Sequence, residues 1–166
     1  MSRGSKFHLA ASEYLRSNKE HIIVLADSDI AFQKVAIQRA VIGAERLGDA
    51  GIPLLWAIAG LYARPSPVSF FLDSGERRVV ERRTGVSQGC PLGTILFCLA
   101  VYPLVVEALQ APELRDVKNY AFADDSGMAG PLGPCAAAVA AVDTALRGKA
   151  GLTTKYFKVL RGKNAL

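Results

Sequence analysis

His21 to Ala26 is an apolar run with Ile22, Ile23 and Val24 near its start. It predicts a buried strand that ends at the polar Asp27-Ser28-Asp29. From Phe32 to Leu47 apolar residues recur at Val35, Ile37, Ala40, Val41, Ala44 and Leu47, the spacing of one helix, and Gly48 to Gly51 breaks it. A second helix fits Pro53 to Ala63. Proline is tolerated in a first helical turn because its missing N–H is an orphan donor there, while Pro65 and Pro67 stop the helix. Val68 to Leu72 and Arg78 to Arg83 flank Asp73-Ser74-Gly75, which reads as a hairpin whose second strand is basic. The loop Thr84 to Pro91 leads into an apolar helix from about Leu92 to Leu109. Val117 to Ala123 reads as a strand halted by Asp124-Asp125, with Ser126 to Gly130 as its returning partner. Ala136 to Arg147 is alanine-rich and favours helix, and Leu152 to Leu160 reads as extended. This order predicts an α+β fold, an antiparallel sheet backed by helices.

Composition narrows the class. At 166 residues, 51% hydrophobic and 21% charged, the chain has material for a buried core and a length suited to one domain or a piece of one. A large multidomain enzyme and wholesale disorder are both excluded. The cysteines, Cys90, Cys98 and Cys135, are odd in number and form no CxxC pair, which argues against a disulfide framework or a zinc site. A reducing, intracellular home is expected, nuclear or cytoplasmic. Thr84 to Val106 carries no charge, but its polar opening and Pro103 suit a buried helix better than a membrane span. No membrane association is expected, and Met-Ser-Arg-Gly-Ser-Lys at the N-terminus does not lead into a secretory signal.

The net charge is +5, and it is uneven: residues 143 to 166 carry 6 basic and 1 acidic side chains. Lys149, Lys155, Lys158, Arg161 and Lys163 form one basic run, and Arg77, Arg78, Arg82 and Arg83 form another. Each would suit a phosphate backbone, and each also suits a solvated face.

The acids at the strand ends carry the more specific chemistry. Strands ending in Asp27 and in Asp124-Asp125 bring three carboxylates together if they lie side by side in one sheet. Adjacent strand residues point to opposite faces, so consecutive acids serve one site only at a turn tip. Clustered carboxylates repel one another, and an oxygen-preferring divalent cation such as Mg²⁺ relieves that repulsion. The simpler reading of Asp124 and Asp125, as turn residues before Ser-Gly, stays open on the dipeptide alone.

Three blocks in order add to that reading. They are Asp27-Ser-Asp-Ile-Ala-Phe32, then Gly85-Val-Ser-Gln-Gly-Cys-Pro-Leu92 followed by Leu96-Phe97, then Phe122-Ala-Asp-Asp125. Together they resemble the palm of reverse transcriptases, particularly the branch of non-LTR retrotransposons and group II intron proteins. A weaker match, Gly151-Leu152 with Lys158 further on, resembles the family's later lysine-bearing block. The resemblance spans roughly residues 20 to 160.

The resemblance implies an RNA-directed DNA polymerase that adds dNTPs to a primer 3′-OH with two Mg²⁺ ions, for which Mn²⁺ can substitute. Asp27, Asp124 and Asp125 would be the catalytic metal-binding acids, with the backbone carbonyl of Ser28 as a further oxygen ligand. Ala31 and Phe32 would meet the incoming nucleotide, the ring acting as a steric gate against a ribose 2′-OH. An ordinary core aromatic is the competing reading of Phe32. Gln88 and Gly89 would sit against nucleotide and template, and Lys158 would place charge near the leaving pyrophosphate or be a solvated lysine. Arg82 and Arg83 would contact primer or template phosphates, or be surface charge. RNA template, DNA primer and dNTP are the implied partners.

Two departures from the family pattern lie near these blocks. Gln33-Lys34-Val35 follows the aromatic where Asn or Asp then Ser is commoner, and Cys90 stands where Asp is commoner. Residues 1–20 are expected to be a fingers remnant or linker, 21–160 the palm and 161–166 a basic tail. Fingers elements are then largely missing and a thumb absent, with a longer parent protein supplying them. A catalytically silent retroelement remnant that binds nucleic acid or protein is the alternative function. An RNA-dependent RNA polymerase palm is a third, though it usually presents Gly-Asp-Asp and lacks the aromatic.

Overall fold

The computed structural model describes residues 11–28, 31–87, 89–122 and 125–161, and at residues 122, 125 and 155–157 it describes the backbone only. The chain divides into two compact units, Met1–Asp29 with Leu104–Leu166, and Ile30–Pro103.

The first unit is built on a four-stranded antiparallel sheet. Its strands are β1 (His21–Ser28), β4 (Lys118–Phe122), β5 (Asp125–Pro131) and β6 (Thr154–Arg161), in the order β4-β5-β1-β6. Helices cover both faces because β1 is apolar on both. Ile23 packs with Ala129 of β5 and with Ala11 and Leu15 of helix α1 (residues 11–17), ringed by Tyr14, Leu25 and Leu160. Ile22 and Val24, pointing the other way, pack on Cys135 of helix α6 (Leu132–Ala150), beside Val117 and Val139. An uninterrupted apolar run in β1 is what a strand buried on both faces requires.

Helix α6 is longer than the Ala136 to Arg147 span expected from its alanines. Pro131 is its N-cap and Pro134 falls in the first turn, where no intrahelical donor is needed, so neither proline delays the start. Gly151, at φ 69°, ends it in the left-handed region, and the Leu152 N–H returns to the Leu146 carbonyl.

The second unit holds helices α2 (Ala31–Lys34), α3 (Ile37–Glu45) and α4 (Ile52–Tyr62), and the hairpin β2 (Ser66–Phe71) with β3 (Arg77–Arg82). It also holds the start of helix α5 (Gly93–Ala108), up to Pro103. Its buried residues include Val35, Ala40, Ala44, Ile58, Val86, Leu96 and Phe97. The single helix expected from Phe32 to Leu47 is broken at Val35-Ala36, where Ala36 is extended (ψ 122°). The break turns carbonyls out of the helix toward the loop before α5. The Gly85 N–H donates to the Val35 carbonyl at 3.1 Å, the Val86 N–H to Phe32 at 2.6 Å, and the Thr84 hydroxyl to Gln33 at 3.3 Å. Pro67, expected only to stop a helix, lies within β2 opposite Glu81. Among the described residues no helix is long and apolar enough to cross a membrane.

Candidate functional site

The acids belong to the first unit. The recorded β1–β5 pairs run from His21 opposite Pro131 to Ala26 opposite Ser126, so the next step of the register sets Asp27 across from Asp125. In β4–β5, Phe122 pairs with Asp125, and only residues 123 and 124 connect them. Asp124 is one of those two residues in the sequence. It lies outside the described residues, as does the side chain of Asp125. Asp27 is exposed, and strand alternation sets it on the α1 side of the sheet, in line with Ile23 and Leu25.

Strand β6 flanks β1 on its other side. Asp27 pairs with Tyr156 and Leu25 with Lys158, so exposed Lys158 is a diagonal neighbour of Asp27 on the same face. The register then shifts, Ser28 pairing with Thr154. This bulge adds a residue to β6 and re-aims the end of β1 where the acid and the Ser28 carbonyl sit.

The remaining expected residues belong to the second unit. Ala31 is 2% exposed. Phe32 is half-buried and stacks on Phe97, with ring centroids 4.6 Å apart and planes at 18°. Gly89 adopts φ 88°, a left-handed backbone that disfavours other residues, and it is exposed. Gln88 lies outside the described residues.

Arg82 is half-buried and tied down. Its Nη1 donates to the Ser87 hydroxyl and its Nη2 to the Ser66 hydroxyl at 3.4 Å, while the guanidinium lies over the Tyr62 ring, 5.5 Å from its centroid. The Ser87 N–H donates to the Tyr62 hydroxyl at 3.1 Å. Two side chains thus pin the residue immediately before Gln88. Arg83 is exposed and pairs with Glu81 at 2.9 Å. Tyr62 and Ser66 carry no motif; they enter only because α4 ends beside the base of the hairpin, which periodicity does not reveal.

At the far end of the sheet, on the same face as Asp27, the Tyr14 hydroxyl meets His21 Nδ1 at 2.8 Å, and Lys118 Nζ lies 5.5 Å from the Tyr14 ring centroid. Burial, and then the neighbouring Tyr120 and Cys135, push the Tyr14 phenol above its ordinary range. Burial also raises the Cys135 thiol.

No family model matches the chain. Its fold is similar to that of telomerase from Candida albicans, solved in complex with a TWJ fragment of telomeric RNA, with a TM-score of 0.69 at 12% sequence identity. The match covers 98% of this chain and 32% of that one, so the chain spans about a third of the telomerase it matches.

Proposed function

We propose that the chain is the catalytic palm of a reverse transcriptase of the non-LTR retrotransposon and group II intron type, extending a DNA primer on an RNA template. The observation that carries this reading is the antiparallel β1–β5 register, which runs to Ala26 opposite Ser126, one residue short of Asp27 and Asp125, in a fold like that of telomerase. The order of the three sequence blocks supports it further.

The chemistry of the donors suits Mg²⁺. Asp27 is exposed at a strand end, and carboxylates on neighbouring strands repel unless a cation lies between them. Asp27, Asp124, Asp125 and the Ser28 carbonyl would hold the ion, which when bound neutralises charge on the triphosphate and activates the primer oxygen. The chain's own residues then position the substrate. Phe32, braced by Phe97, bars a ribose 2′-OH, and Gln88 and Gly89 meet the base pair being formed. Lys158 supplies positive charge to the departing pyrophosphate. The pinned Ser87 keeps the loop from having to order itself at each addition.

The test is primer extension on an RNA template with dNTPs, using the chain supplied with fingers and thumb segments. Mg²⁺-dependent extension should fall by at least about 10³-fold in Asp124→Asn. Extension that survives this substitution would overturn the site. Salt-dependent RNA binding with no extension would favour the silent binding module instead.

A further inference from the structure

A small cavity at the base of the β2–β3 hairpin has a volume of about 140 Å³ and a wall that mixes polar and apolar groups. Arg64, Arg82 and Arg83 line it, together with Ser66, Thr84 and Tyr62. None of its lining residues is acidic. A concave surface lined by three arginines, one of them paired with Glu81, keeps a surplus of positive charge and favours an anion. That volume has room for several waters or for one tetrahedral oxyanion.

The donors are distributed as an anion site requires. Arg82 spends one N–H on Ser87 and one on Ser66, which fixes its guanidinium; among the described residues its other three donors have no partner. Arg83 gives one N–H to Glu81, outside the cavity wall, and keeps the rest. Arg64 is exposed, and among the described residues no hydrogen bond or ion pair engages it. A guanidinium engaged by none of the described residues, lining a cavity in which Arg82 is locked in place, can close on an incoming phosphate bidentately.

We propose that this cavity binds a phosphate group, with Arg64 as the closing contact and Arg82 as the fixed one. The inference rests on the polymerase reading and deepens it, because the same Arg82 that seats the phosphate also holds Ser87, the residue before Gln88. Seating a phosphate there sets the loop's position. A phosphate of this kind comes either from a nucleic-acid backbone or from a nucleoside triphosphate, and binding assays separate the two sources.

Binding of a fluorescent single-stranded RNA 12-mer and of dTTP would be measured for the full chain and for Arg64→Ala, Arg64→Lys and Arg16→Ala. Arg16 is an exposed arginine of the other unit and controls for loss of overall charge. If the phosphate is a strand phosphate, Arg64→Ala weakens RNA binding about 3- to 10-fold and makes the slope of log K against log salt shallower by about 0.7. Arg64→Lys then recovers part of the loss, and dTTP binding is unmoved. If it is a triphosphate, the same variant weakens dTTP instead. Equal losses from Arg64→Ala and Arg16→Ala, or no loss for either ligand, would overturn the site. No catalysis is measured, so a polymerase that fails the Asp124→Asn test leaves this result standing, and the reverse also holds.

Discussion

Gly85 sits at φ 75°, and a Cβ there would run into the Gln33 carbonyl. Its own N–H is already committed to Val35. Gly85→Ala must therefore move backbone as well as adopt a strained dihedral, and should cost about 3 kcal/mol or more in a urea titration. Gly75, at φ 80° with open space around it, is the contrast; alanine there should cost about 1 kcal/mol. The sequence shows both as turn glycines, and only the packed neighbour separates them. Tyr14 and Cys135 give a second prediction at this scale. Both have raised folded values, so their contribution to stability is complete below the ordinary values near 9.0 and 10.0 and is lost as pH rises through the folded ones. Urea midpoints should hold for these two groups up to about pH 9 and fall above it, and Tyr14→Phe should flatten the upper part of that fall.

Among elements, the β2–β3 hairpin and the β1–β5 pair are opposite cases. The hairpin is exposed on both faces, with Phe71 at 72% on one and Val80 at 50% on the other. A two-stranded ribbon is marginal by itself, whereas β1 is buried between α1 and α6. Hydrogen exchange should therefore run about 10²-fold or more faster at the hairpin amides of Val68 and Val80 than at Ile23 and Val24. Protection of the two sets to the same degree would contradict this. The hairpin was legible in the sequence from its turn residues and the strand β1 from its apolar run, while the pairing of β1 with β5 was not. The split between α2 and α3 was not, because Gln33 to Ile37 continues the helical spacing and nothing local marks the break. It exists because Gly85 and Val86, about fifty residues on, take the carbonyls. The early prolines concealed the first turn of α6 for the opposite reason: their local signal reads as a stop, although in a first turn they cost little.

For the whole molecule, the net charge of +5 predicts polyanion binding governed by counterion release. Affinity for single-stranded RNA should fall about tenfold or more between 50 and 200 mM salt; affinity independent of salt would exclude phosphate contacts as its source. The sequence by itself determined the α+β class, the order of elements and the delivery of acids to strand ends, since each follows from periodicity and turn chemistry over a few residues. Tertiary structure alone decided that β1 and β5 pair in a register that ends one residue short of Asp27 and Asp125, that Lys158 falls diagonally beside Asp27, and that Tyr62 and Arg82 hold Ser87. It also decided that Arg64 shares a cavity with Arg82. Apart from Arg82 and Ser87, these partners are eighteen to well over a hundred residues apart. Register and side-chain meeting are set by how the elements pack, and a local pattern carries no record of which distant backbone will lie alongside.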